Sequence, residues 1–161
     1  VKELKERELF DKTTIVVLTD HYLYTLSDKS ILDKYKNTSN NLINHTPFFI
    51  YTNNKDKKTI KTVTSQLNVL PTVLNLFGID YNPNYYIGQD ALSNNYQKLV
   101  FFSDYSWYDG NVYVDGGVVT NNKYINQNAL EEKNYNVNYL IKKNDLTLKY
   151  NYFKDMEKSS K

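Results

Sequence analysis

Cysteine is absent from all 161 residues. That excludes disulfides, thiolate ligands and thiol nucleophiles, and it leaves the redox compartment open. No run approaches the roughly 18 to 20 consecutive apolar residues of a membrane-spanning helix, and no charged-then-apolar leader opens the chain. An excess of charge is missing too: 20 Lys and Arg stand against 18 Asp and Glu. Such a balance provides no basic field of the kind that holds nucleic acid by counterion release. Nucleic acid is therefore not an expected partner. Aromatics, by contrast, are plentiful at 15%, with 16 Tyr among them. Tyrosine buries a ring while keeping its hydroxyl wet, so the chain can build one core of ordinary size. The surplus of Asn, Lys, Tyr and Ile follows the codon bias of an A+T-rich genome, and most of the Asn reads as loop filler.

The opening VKELKERELF favours a charged helix with Leu4 and Leu9 as apolar anchors. After it, Ile15 to Leu18 form a short β-branched run without polar alternation, which predicts a strand buried on both faces of a parallel sheet. Residues 28–36 read as a short surface helix and 37–46 as an Asn-rich loop. Beyond Pro47, FFIY reads as a second buried strand. In SQLNVLPTVLNLFGID, Leu67, Leu70, Val73, Leu74 and Phe77 recur at three- and four-residue spacing and predict one apolar helical face over 68–77. Asn68 is placed to cap this helix, Pro71 falls in its first turn, and Gly78 sits where a left-handed C-cap belongs.

After a Tyr- and Asn-rich stretch (81–97) the period changes. KLVFF, NVYVD, GVVT and KYIN predict short strands, separated by Asp109-Gly110, Asp115-Gly116-Gly117 and Asn121-Asn122, which is the pattern of an antiparallel meander. The last 25 or so residues, with Leu146, Tyr150 and Phe153 scattered through them, predict a terminal helix packed on one side and a frayed KSSK tail.

Asp20-His21 is the sharpest chemical feature, because it follows the apolar run directly. Ligands of open α/β sheets bind outside the carboxyl ends of strands, so a carboxylate and an imidazole there suit a metal. A turn carboxylate beside a surface histidine is the ordinary alternative. His45, ahead of Thr46-Pro47, is placed to reach a substrate phosphate or is simply a polar residue at a loop-to-strand junction. Trp107 with Tyr105 and Tyr108 offers a carbohydrate platform or, equally, a cover for a small sheet. The Lys55-Asp56-Lys57-Lys58 run reads as a solvated face.

In order, TTIVVLTDH, NHTPFFIYT, SQLNVLPTVLNLFGI and YYIGQDALS resemble the C-terminal section of the sulfatase-type domain of the alkaline phosphatase superfamily. The likeness is strongest to lipoteichoic acid synthases and related phosphoglycerol transferases, and it covers about residues 1–95. Leu23 departs from it, since relatives often have Pro there. The resemblance implies that Asp20 and His21 are two ligands of a catalytic divalent metal, with Mn favoured and Mg or Zn compatible. It also implies that the nucleophilic Thr or Ser and an acidic ligand lie upstream. Neither Thr13 nor Thr14 fits that role, since both sit at the wrong end of the strand. On this likeness the chain is a C-terminal fragment, inactive alone, that holds metal weakly or not at all.

The expected fold class is α/β: part of an alkaline-phosphatase/sulfatase-like sheet with flanking helices (1–97), then a small antiparallel sheet and a C-terminal helix (98–161). The parent implied by the resemblance is a membrane-anchored, extracellular phosphoglycerol transferase whose membrane segment lies outside this chain. It would form a covalent phosphoglycerol-enzyme on its own hydroxyl and pass the group to an acceptor. Its partners would be a glycerophospholipid donor and a glycolipid or polymer acceptor. A sulfatase or phosphodiesterase of the same superfamily, and a non-catalytic binding module with a degenerate site, are the rival readings.

Overall fold

A computed structural model describes residues 1–28, 30–36, 39–53 and 56–159. The chain divides into two compact units, Val1–Ile60 and Lys61–Lys161. The helix that the sequence groups with the first section belongs to the second unit.

The first unit opens with α1 (Lys2–Glu6), carrying the pairs Lys2–Glu6 and Arg7–Glu3 one turn apart. A single 3-10 turn at Phe10–Lys12 leads into β1 (Ile15–Leu18). Helix α2 (Ser30–Tyr35) and a 3-10 turn at Asn40–Asn44 precede β2 (Phe48–Tyr51). Part of the expected 37–46 loop, Asn37 and Thr38, lies outside the described residues.

Strands β1 and β2 pair antiparallel, from Ile15 opposite Tyr51 to Leu18 opposite Phe48. This corrects the expectation of a parallel, doubly buried strand. Val17 and Leu18 are 37% and 46% exposed, and Phe49 is 54% exposed. The physical reason is local. A two-stranded ladder has no strand on either outer side, so a run apolar on both faces keeps much of its surface in water. Among the described residues of this unit only Leu32 is buried.

The second unit is built differently. Helix α3 (Val69–Leu76) ends in a Schellman motif, with Gly78 at φ +65. The Gly78 amide donates to the Asn75 carbonyl and the Ile79 amide to that of Leu74, as the sequence predicts for a glycine cap. Its buried side is not the predicted stripe. Leu67, Leu70 and Phe77 are 44–54% exposed, whereas Asn68, Pro71 and Thr72 are buried.

The meander follows as β3 (Val100–Phe101), β4 (Trp107–Tyr108), β5 (Tyr113–Asp115) and β6 (Val118–Val119), paired antiparallel in that order. The expected KYIN strand is not formed, and Trp107-Tyr108 supplies a strand instead. Gly110, Gly116 and Gly117, all at positive φ, sit in the two later turns. Helix α4 (Gln127–Lys149) crosses this sheet, and its Asn126 side chain accepts the Ala129 amide at 2.8 Å. Leu99, Trp107, Val112, Val114 and Val137 form the core, with Leu130 and Ile141 of α4 against them. Helix α4 thus starts about ten residues before the expected terminal helix. Leu146, Tyr150 and Phe153 stay 42–63% exposed. A last helix, α5 (Tyr152–Ser159), carries the chain into KSSK, whose final two residues lie outside the described ones.

Trp107 is fully buried, which excludes it as a carbohydrate platform and leaves the sheet-covering role. Its indole N–H donates to Asn134 Oδ1 at 2.8 Å and the Lys133 ammonium lies 5.4 Å from its ring centroid, so α4 is fixed to β4 by polar as well as apolar contacts. Among the described residues no helix is long and apolar enough to cross a membrane.

Candidate functional site

Asp20 and His21 leave the carboxyl end of β1, as the sequence predicts. Asp20 Oδ1 accepts the His21 amide at 3.0 Å, which folds the carboxylate back across the turn. Asp20 Oδ2 then lies 3.2 Å from His21 Nε2. On the other side of the ring, Nδ1 lies 2.7 Å from the Tyr22 carbonyl. A carbonyl only accepts, so this contact is a hydrogen bond in the forms of the ring that carry a proton on Nδ1. The Tyr24 ring rests against the imidazole at 4.5 Å, and Lys36 sits over Tyr22 at 5.7 Å.

This arrangement can hold a divalent cation. Two donor atoms bound at about 2.0–2.2 Å to one ion, at right or tetrahedral angles, are separated by roughly 3.0–3.5 Å. The Asp20–His21 spacing of 3.2 Å falls in that interval. The Nδ1 contact to a backbone carbonyl is the outer contact that metal-binding histidines usually make. The donor set, one hard anionic oxygen and one neutral nitrogen, suits Mn, Mg or Zn. Both side chains are open to solvent, Asp20 at 86% and His21 at 48%. Among the described residues no group of three or more His, Cys, Asp or Glu forms, so this pair offers two donors only.

Other residues named from the sequence are distributed differently. His45 lies just before β2, exposed, with its amide donating to the Leu42 carbonyl at 3.0 Å. Thr13 and Thr14 precede β1, at the end opposite Asp20. Asp56, Lys57 and Lys58 are exposed, as expected of a solvated face, and Lys55 lies outside the described residues.

Sequence reasoning assigned Asn68 to a helix cap and gave Thr72, Gly88 and Tyr96 no role. The structure joins them in a clamp. Asn68 Oδ1 accepts the Ser65 amide at 2.8 Å, while its Nδ2 donates to the Gln89 carbonyl at 2.9 Å. Thr72 Oγ1 donates to the Asn68 carbonyl at 2.6 Å and accepts the Ala91 amide at 2.9 Å. The Tyr96 hydroxyl reaches the Val63 carbonyl at 2.9 Å, and burial pushes its pKa up to about 12, so it stays a donor. A Cβ at Gly88 would stand 1.9 Å from the Leu67 carbonyl oxygen, so only glycine permits this approach. The signal was present in Asn68-x-x-Pro71-Thr72 followed by Gly88-x-Asp90, polar residues inside an apolar helix with no solvent-side reason to be there. The clamp is structural: it ties α3 to the 88–91 turn.

Residues 1–79 match the family model described as Sulfatase. Lipoteichoic acid synthase of Staphylococcus saprophyticus is 30% identical over 125 residues, covering 70% of this chain and 19% of the relative. Lipoteichoic acid synthase of Staphylococcus aureus is 29% identical over the same length and with the same coverage. The chain spans about a fifth of the length of these curated relatives. With the family model on residues 1–79 and the likeness running beyond it, the chain carries a sulfatase-type section of the lipoteichoic acid synthase-like kind, from an enzyme superfamily.

Proposed function

We propose that this chain is the Asp-His section of a metal-dependent phosphoglycerol transferase, and that Asp20 and His21 are two of the ligands of its catalytic cation. The observation that carries this reading is the 3.2 Å spacing of Asp20 Oδ2 and His21 Nε2 at a strand's carboxyl end, with Nδ1 tied to the Tyr22 carbonyl. A bound divalent cation supplies charge stabilisation at a phosphoryl oxygen and lowers the pKa of a hydroxyl nucleophile. The residues of this chain prepare that role. Asp20 would contribute negative charge against the cation, and with Nε2 as the ligand the Tyr22 carbonyl would accept a hydrogen bond from Nδ1 and hold the ring in place. The Tyr24 ring limits rotation of the imidazole.

Two donors do not complete a coordination sphere. The remaining ligands and the nucleophilic hydroxyl are assigned to the rest of a sulfatase-type domain, and the isolated section is inactive on this reading. Manganese is the favoured ion. The complete enzyme acts at the outer face of the cell membrane, with a glycerophospholipid as donor and a glycolipid or growing polymer as acceptor.

The test is release of diacylglycerol from phosphatidylglycerol by the complete protein with Mn2+, beside hydrolysis of an aryl sulfate. Diacylglycerol release with glycerophosphate passed to an acceptor is the expected result. Sulfate release without it would move the protein to the hydrolases, and neither activity would make the pair a turn rather than a metal site.

A further inference from the structure

The chain has two histidines, and the β1–β2 register places both at one end of the same ladder. Leu18 and Phe48 are the last paired residues at that end. His21 stands three positions after Leu18, and His45 three positions before Phe48. Pro47 has no amide proton to donate, so the ladder stops at Phe48 and the two segments leave the sheet as neighbours instead of continuing to pair. Paired strands run about 5 Å apart, and His21 and His45 each stand three residues beyond one last pair, at the same end of the ladder.

His45 is exposed and sits on backbone fixed by the 3-10 turn before it, through its amide bond to the Leu42 carbonyl. It is not a third metal ligand, because no three-donor group forms among the described residues. What an exposed imidazole beside a cation site can do is donate an N–H to an anionic oxygen that the cation leaves uncovered. Lys36 lies over the face of Tyr22 at 5.7 Å.

We propose that His45 is a substrate-binding residue, donating a hydrogen bond to a phosphoryl oxygen of a glycerophosphate group held at Asp20 and His21. This rests on the metal reading above and adds a residue that reading does not contain. A phosphoryl group offers several peripheral oxygens, so one can face the cation while another accepts a charge-assisted bond from the imidazole.

With two histidines, the imidazole region of the NMR spectrum of this 161-residue chain holds two sets of signals. Mn2+ is added first, and broadening of His21 followed by His45 is expected. Glycerol phosphate is then titrated in the presence of Mg2+, which is expected to move both imidazoles with one midpoint. In His45→Ala the midpoint read on His21 should rise about tenfold, and His45→Arg, which keeps a cationic donor, should restore most of it. The Phe10 and Tyr51 ring signals, stacked at 5.1 Å within the first unit, report that each variant is folded there. If Mn2+ broadens His21 and glycerol phosphate moves it while His45 stays still, the metal reading stands and the His45 inference falls. A two-donor site binds weakly, so Mn2+ is taken to about 10 mM, and if neither imidazole broadens there, both fall.

Discussion

The two units of the chain divide labour. Residues 1–60 carry the proposed ligands Asp20 and His21, yet among those described only Leu32 is buried. Residues 61–161 carry a core in which Trp107 and Val114 are fully buried and Val112 and Val137 nearly so, yet their polar clusters serve structure. A metal site gains from this separation. Ligands at an open strand end can be reached by substrate, and their charge is not carried into an apolar interior where it would be costly. The cost is that the first unit, taken alone, buries little apolar surface to offset the entropy of ordering its chain.

The sharpest way to break this comparison is to remove chemistry from one unit and packing from the other. Asp20→Ala or His21→Ala in the complete enzyme should lower glycerophosphate transfer by about a thousandfold or more, since each removes a ligand that activates the nucleophile. Neither should move the melting temperature of this chain by more than about 2 °C, because both side chains face solvent. A His21→Ala variant with near-normal turnover would end the metal assignment, and one that unfolds would make the residue structural. Trp107→Ala should act in the opposite sense, costing about 3–5 kcal/mol through the cavity and the lost bond to Asn134. Chemical denaturation followed by circular dichroism measures it. A cost below about 1 kcal/mol would show that the second unit is not held by this core.

A smaller effect tests the clamp of α3. Thr72→Val keeps the shape of the side chain but removes the hydroxyl that accepts the Ala91 amide and donates to the Asn68 carbonyl. Leaving a buried amide unpaired costs about 1–3 kcal/mol, so the urea midpoint should fall with its slope unchanged. Leu74→Ala, which the sequence alone would rank as the more damaging change on this helix, should cost less than a fully buried leucine, because Leu74 is only half-buried.

That reversal shows what was legible in the sequence. Features fixed by a few neighbouring residues were readable: the runs that form β1 and β2, the left-handed Gly78, the glycine turns before β5 and β6, and Asp20-His21 at a strand end. Features fixed by what a segment meets in space were not. The stripe Leu67, Leu70 and Phe77 marks a helix but not which side is covered, and the covered side carries Asn68 and Thr72, whose hydrogen bonds cannot be seen in a hydrophobic period. Helix α4 begins about ten residues before the stretch marked by Leu146, Tyr150 and Phe153, and its packed side carries Leu130, Val137 and Ile141 together with Asn134, the acceptor for Trp107. The two-residue strand Trp107-Tyr108 is too short to show alternation at all. The candidate site was legible as a pair of residues. Its 3.2 Å spacing and the contact of Nδ1 with the Tyr22 carbonyl needed the structure.

The smallest expected effect is a pH dependence confined to the second unit. Asp109 closes the turn between β4 and β5 by accepting the amides of Asn111 and Val112 at 3.0 and 2.8 Å, and it pairs with Lys133 of α4. Burial pushes its pKa up, but the Lys133 bond, the two amides and the Lys133 charge together outweigh that, and the net shift is downward. A carboxylate whose folded pKa lies below its unfolded value of about 3.9 stabilises the fold above that value. The contribution is lost as pH falls through the folded pKa, so the window lies below about pH 4. Asp109→Asn keeps the acceptor oxygen for the turn but not the charge. The variant should therefore be slightly less stable than the natural chain at pH 7, and the two should converge as the pH is lowered towards 2. Melting temperatures across that range, with Lys133→Met as the partner change, decide the matter. A difference between natural chain and Asp109→Asn that stays constant with pH would show that the turn hydrogen bonds, and not the charge pair with α4, are what Asp109 contributes.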